Sequence, residues 1–362
     1  MAIIDKPTDY FNTVLYTGNG GTQSITGLDF QPDFTWIKSR TTGGSGNNNH
    51  CVNDVVRAKG SYGYPMIHPN LTAAEYDPDS GNEVVTDFNS NGFSLGGNEN
   101  SNYNSATYAS WNFKAGTSFT NDASATGIGT IDSTGSVNTT SGFSIATYTG
   151  TGSGATVGHG LGTTPAWVLV KERGASGEAW NNFHQSLGAG ITIMLNLTNA
   201  QQSSSTIWNN TAPTSSVFSV GADAGSNGSS KTYVAYCFAE KQGYSKFGSY
   251  TGNGNADGTF VYTGFSPAFV MVKRTNSANS WNIKDNRRNN ASTSFNINPR
   301  NATLLPNDSA ADQDANALDF LSNGFKNRST GNDANNASGT YIYMAFAENP
   351  FVTSTGVCAT AR

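Results

Sequence analysis

Charge is scarce in this chain: only 12% of its 362 residues are charged, with 20 Lys+Arg against 25 Asp+Glu for a net charge of −5. No run of Lys or Arg is present to neutralise phosphates, which argues against nucleic acid as a partner. Cysteine is equally sparse. Cys51, Cys237 and Cys358 are scattered, odd in number and lack a CxxC pair, which argues against a disulfide framework or a cysteine zinc site. No stretch approaches the roughly 20 apolar residues of a membrane-crossing helix. The start, Met1-Ala2-Ile3-Ile4-Asp5-Lys6, lacks a basic region followed by an apolar one, so no signal peptide is expected. Helical periodicity is almost missing, and its best candidate, Ala315 to Leu321, is too short. The 41 glycines point the same way, since Gly costs about 1 kcal/mol relative to Ala inside a helix.

What is there is Asn, Ser, Thr and Gly in every row, which must solvate the surface in place of charge, and a threefold internal repeat. Tyr16-Thr17-Gly18-Asn19-Gly20 recurs as Tyr148-Thr149-Gly150-Thr151-Gly152 and as Tyr250-Thr251-Gly252-Asn253-Gly254. Each copy reaches a proline 16 or 17 positions later (Pro32, Pro165, Pro267) and a lysine 6 positions beyond it (Lys38, Lys171, Lys273). The copies also end alike, at Thr107-Tyr108 to Phe113, Thr232-Tyr233 to Phe238 and Thr340-Tyr341 to Phe346. A register kept this closely marks a copied module. Opening Tyr to closing Phe spans 97, 90 and 96 positions, the size of one small domain.

The runs after the proline, such as Trp167-Val168-Leu169-Val170 and Phe269-Val270-Met271-Val272, are aromatic and β-branched and read as strands. The closing segments alternate, with Val234, Tyr236 and Phe238 on one face, which predicts one buried face. Further short runs bounded by Gly and Asn suit an antiparallel sandwich. The expected fold class is all-β: tandem antiparallel β-sandwich repeats of jelly-roll or lectin-like type at 1–115, 142–243 and 244–362, the last with a C-terminal tail. Residues 116–141, rich in Gly, Ser, Thr and Asn, read as a linker or extended arm.

Several stretches carry a resemblance to a known group: Gly158-His159-Gly160-Leu161-Gly162-Thr163-Thr164-Pro165, Trp208-Asn209-Asn210-Thr211-Ala212-Pro213-Thr214, Tyr236-Cys237-Phe238-Ala239-Glu240, and Thr340 through Phe351. At these residues the chain resembles a repeat module of virion proteins, often tail-fibre or structural proteins, of tailed bacteriophages of marine bacteria. Units two and three match over most of their length, and unit one is a more divergent copy. The resemblance implies a particle component without catalytic residues, made in the host cytoplasm, released by lysis, and partnered by other virion proteins. The long shaft or attachment domain of a full-length fibre is missing, which leaves room for a capsid-decoration (head-fibre) or short appendage role. Host-surface glycan binding is a further expectation, with a glycan depolymerase as the rival from the enzyme class. A symmetric homo-oligomer, trimer first, is the expected assembly.

Candidate chemistry is thin. His159 in its glycine-rich stretch reads as a turn residue. No G-x-S-x-G elbow partners it. Trp281, Asp285 and Arg288 in unit three stand where unit two has Trp180 and His184 and unit one has His50, Asp54 and Arg57. A position that changes from Asp to His between copies is a poor catalytic site, and the Asp/Arg spacing reads as an ion pair. Trp180, Trp208 and Trp281 are the aromatics that would stack on a sugar. Asp77, Asp79 and Glu83 place three carboxylates on one turn, the best candidate for calcium, with Asp308, Asp312 and Asp314 a weaker one. No other cofactor is expected. Cys237 falls at a small-residue position of the closing strand and reads as buried and inert, whereas Cys51 and Cys358 read as lying in polar surroundings.

Overall fold

Side chains of a strand point alternately to its two faces, and the closing segments have something to bury on both. In Thr232–Phe238, Tyr233, Ala235 and Cys237 enter one hydrophobic cluster while Val234, Tyr236 and Phe238 enter another. The closing strands Thr107–Phe113 and Thr340–Pro350 divide likewise. Two buried faces, where the sequence suggests one, mean that each closing strand lies between two cores. The computed structural model describes residues 3–41, 48–288 and 297–358, and among them the architecture follows from this division.

Each unit is an all-β, antiparallel, two-sheet sandwich. Its inner sheet has the same strand order three times: opening, closing, post-proline, then a short fourth strand. The opening strands are Phe11–Thr17, Phe143–Thr149 and Ser245–Thr251; the post-proline strands are Phe34–Ser39, Trp167–Glu172 and Phe265–Arg274; the fourth strands are Cys51–Asp54, Asn181–His184 and Trp281–Asp285. Register repeats to the residue, with Tyr16 opposite Tyr108, Tyr148 opposite Tyr233 and Tyr250 opposite Tyr341. An outer sheet covers each inner one: Gln23–Thr26, Gly92–Leu95 and Val85–Asn89 in unit one, Ala155–Gly158 with Val217–Val220 in unit two, and four strands in unit three. One of those four, Gln313–Leu321, is the segment whose periodicity comes nearest to a helix. Its burial beside Phe325 and its pairing with Gly324–Asn327 decide the matter for the strand.

The other faces of the three inner sheets meet in one shared core. At its centre the closing phenylalanines Phe113, Phe238 and Phe346 touch one another, with ring centroids 4.9 to 5.9 Å apart. The three units therefore surround a pseudo-threefold axis within a single chain.

Residues 116–141 are not the expected linker. Thr117–Asn121 and Ser133–Asn138 pair with each other, and the latter pairs with the opening strand of unit two; with Ile191–Met194 and Gln202–Ser203 added beyond its fourth strand, that inner sheet has eight strands. The threonines, Phe119 and Val137 of these segments favour strands once a neighbouring edge offers backbone partners, and the unpaired edge of Phe143–Thr149 is that neighbour. Among the described residues no helix is long and apolar enough to cross a membrane.

Candidate functional site

The repeated Tyr-Thr-Gly motif is a structural lock. In each copy the opening and closing tyrosines stack, with centroids 5.1, 5.1 and 4.9 Å apart. Their hydroxyls reach the carbonyls of a turn that carries a fully buried asparagine: Asn102, Asn227 or Asn335. That asparagine accepts from the loop backbone (Asn19, Thr151 or Asn253 N–H) and donates Nδ2 to several loop oxygens. The motif's first glycine is required because a Cβ on Gly18, Gly150 or Gly252 would lie 2.3 to 2.4 Å from a carbonyl oxygen of the asparagine's turn. Its second glycine, Gly20, Gly152 or Gly254, has φ of +74°, +75° or +67°, a region that favours glycine.

The lysine six residues after the proline closes the ring. Lys171 Nζ donates to Thr72 O of unit one, Lys273 to Thr198 O of unit two, and Lys38 to Ser309 O of unit three, at 3.5, 3.1 and 3.1 Å. Each also donates to the carbonyl of the residue that follows it. All three are buried, and burial draws their ammonium groups down to about 8. Backbone bonds run the same circuit: Glu75 N to Arg173 O, Gln201 N to Thr275 O and Asp312 N to Arg40 O.

Two of the three expected sugar-stacking tryptophans, Trp180 and Trp281, belong to this machinery, and Trp208 lies in the core of unit two. Trp180, Trp208 and Trp281 are each at most 1% exposed, so none offers a ring face to a sugar. Trp180 Nε1 donates to His68 O and Trp281 Nε1 to Met194 O, each at 2.9 Å across a unit boundary, while Trp208 packs on Phe183. His50 fills the corresponding place in unit one. Its Nδ1 accepts from Trp36 Nε1, so Nε2 carries the proton toward Leu305 O, 2.9 Å away.

The Asp/Arg spacing forms two fully buried ion pairs, Asp54–Arg57 at 2.7 Å and Asp285–Arg288 at 2.6 Å. Each is anchored by a neighbouring unit, through Tyr236 Oη on Asp54 and Trp111 Nε1 on Asp285. Burial alone would raise both carboxyls, but the adjacent guanidinium and these donors hold them below their ordinary value. At the third junction His184 replaces the aspartate. Its Nδ1 accepts from Ser186 N–H, its Nε2 stands near Tyr343 without bonding geometry, and burial pulls it down to about 4. His159, by contrast, has both ring nitrogens on backbone groups, Thr214 O and Leu161 N–H.

The calcium expectation fails on geometry. Asp77 and Asp79 are exposed, Asp79 accepts from Tyr76 Oη, and Glu83 accepts from Gly81 N–H. Among the described residues no three carboxylates, histidines or cysteines gather as a metal site. In the second cluster, Asp312 is already paired with Arg40 and Arg288. Cys51, expected in polar surroundings, is buried in the core of unit one, where burial pushes its thiol up; Cys237 is buried too and is pushed up to about 12.

One open cleft of about 370 Å³ lies where sequence reasoning placed nothing, on the inner face of unit two beside the added hairpin. Thr120, Thr134 and Thr147 stand side by side across three strands. Asp122 and Asp132 flank them at one end and Arg173 at the other. The polar alternation of 117–134, read as linker composition, is the signal that could have found this surface.

Together, fold and junctions define a class: a single-chain, three-unit, all-β ring in which a repeated motif locks each unit and a repeated lysine bonds each unit to its neighbour. Residues 6–350 match the family described as Domain of unknown function (DUF7483), and the chain belongs to that family. No curated protein matches it.

Proposed function

We propose that this protein is a non-enzymatic structural component of the exterior of a tailed-bacteriophage particle, of the tail-fibre or appendage kind. One observation carries the reading: the chemically versatile side chains that the repeat singles out, the three lysines and the two Asp–Arg pairs, are buried at the unit boundaries and committed to closing the ring. Such an arrangement supports a rigid building block. It gives no role to a nucleophile or general base at these positions. The resemblance of units two and three to virion modules supports the same assignment, and release by lysis is the route it implies.

Purified particles labelled with an antibody to this protein test the proposal. Label at the tail or its appendages is the expected result, label spread over the head would move the assignment to capsid decoration, and particles free of the protein would overturn it. Host capsule or lipopolysaccharide incubated with the protein tests the depolymerase rival; sustained release of reducing ends would displace the non-enzymatic reading. The shared core is complete within one chain, so assembly into a symmetric homotrimer is a proposal about the particle and is read by sedimentation of the isolated protein.

A further inference from the structure

The cleft of unit two interrupts the pseudo-threefold symmetry. Units one and three have Leu15 and Ser249 at the register of Thr147 and, among the described residues, no strand corresponding to Ser133–Asn138. Unit three follows unit two without such an insertion, so ring closure does not require the hairpin.

The hairpin creates a flat array of hydrogen-bonding groups. Thr120 lies opposite Thr134 and Thr134 opposite Thr147, with the hydroxyls of the last two 3.0 Å apart. The next row on the same face runs from Asp122 and Asp132 through Thr149 and Thr232 to Arg173. Strands are spaced 4.7 to 4.9 Å, so the four intervals from the Asp122 strand to the Arg173 strand cover about 19 Å.

Donors and acceptors are left over at opposite ends. Asp122 uses Oδ1 for Ala125 N–H and the Ser124 hydroxyl, and Asp132 uses Oδ1 for Ala123 N–H; among the described residues neither Oδ2 accepts a hydrogen bond. Arg173 gives Nε and Nη2 to Glu75 and keeps Nη1. The cleft therefore offers acceptors, then hydroxyls that both donate and accept, then a guanidinium donor. A compact anion would meet two carboxylates, and an apolar ligand would cover the two Oδ2 atoms and Arg173 Nη1 without replacing their water, a cost of about 1–3 kcal/mol for each group left unpaired. A chain of neutral sugar rings, with hydroxyls along both edges, matches the array.

We propose that this face of unit two binds a short neutral oligosaccharide, held by the threonine row and oriented by Asp122, Asp132 and Arg173. The inference deepens the reading of the protein as part of a particle's exterior by naming a ligand class. Its test is independent of where the protein sits, so either can fail alone.

The test is binding of the full chain to a panel of immobilised neutral tri- to hexasaccharides, alongside the double variant Thr134→Val/Thr147→Val, the variant Asp132→Asn, and Thr251→Val as a control outside the cleft. Val keeps the branched shape and removes the hydroxyl; Asn keeps the Oδ1 acceptor. Expected is retention of at least one oligosaccharide by the wild type and the control, weakened at least about tenfold in the double variant and in Asp132→Asn with unchanged thermal unfolding, a tenfold change being about 1.4 kcal/mol. Failure to retain any saccharide, or equal affinity in the double variant, would overturn the proposal.

Discussion

At the scale of single residues, the buried asparagines set the loop geometry, and removing one leaves several backbone groups unpaired. Asn227→Ala strips the Nδ2 bonds to Ser153 O and Gly221 O and the acceptor for Thr151 N–H, for an expected cost of about 2–4 kcal/mol. Asn102→Ala and Asn335→Ala should fall in the same range, measured by urea unfolding. Titration gives a second expectation. All four histidines, His50, His68, His159 and His184, are drawn below their ordinary value by burial. The unfolded chain therefore binds more protons as pH falls below about 6.5, so their contribution is present above that pH and is lost toward pH 4, by on the order of 3 kcal/mol each for His159 and His184. The lysines have the opposite consequence. With Lys38, Lys171 and Lys273 drawn down to about 8, the folded state releases their protons before the unfolded state does, and stability rises between pH 8 and about 10. Above pH 10 it falls again, because buried tyrosines such as Tyr148 and Tyr250 are raised and the unfolded chain ionises first. Lys171→Met should flatten the rise in urea midpoints across pH 8–10; an unchanged slope would contradict the assignment.

Among elements, the hairpin Thr117–Asn138 is the one whose place the sequence concealed. Its composition is that of a linker, and only the unpaired edge of the opening strand of unit two turns it into sheet. The sequence does hold one indication, Gly135, which lies under the Phe119 ring with a virtual Cβ 2.5 Å from it and 2.0 Å from Ile145 O. A side chain there cannot fit between the strands. Gly135→Val should therefore detach the hairpin, seen as faster hydrogen exchange over residues 117–138 with protection retained in Thr232–Phe238. The closing and post-proline strands were legible from the start, because their apolar runs and common register appear three times. The cleft was not, since its two rows combine residues from strands far apart in the chain.

For the whole molecule, the shared core makes three copies into one cooperative body. Phe238 touches Phe113, Phe143, Phe247 and Phe346, so Phe238→Ala opens a void between units and should cost about 3–5 kcal/mol. Calorimetry is expected to show one transition for wild type and variant alike; separate transitions for the units would refute a common core. The central void already present is small, about 30 Å³ with wholly apolar walls that include Trp111, Tyr236 and Met344, and a water there would lack the polar partners it needs. The sequence by itself determined the repeat, the strand character and the positions of motif glycines and lysines, because these follow from local backbone sterics and from periodicity along one strand. Only the tertiary structure decided that the tryptophans face inward, that each lysine bonds to the neighbouring unit, and that a linker-like segment builds a cleft, since burial and pairing depend on which distant surfaces meet.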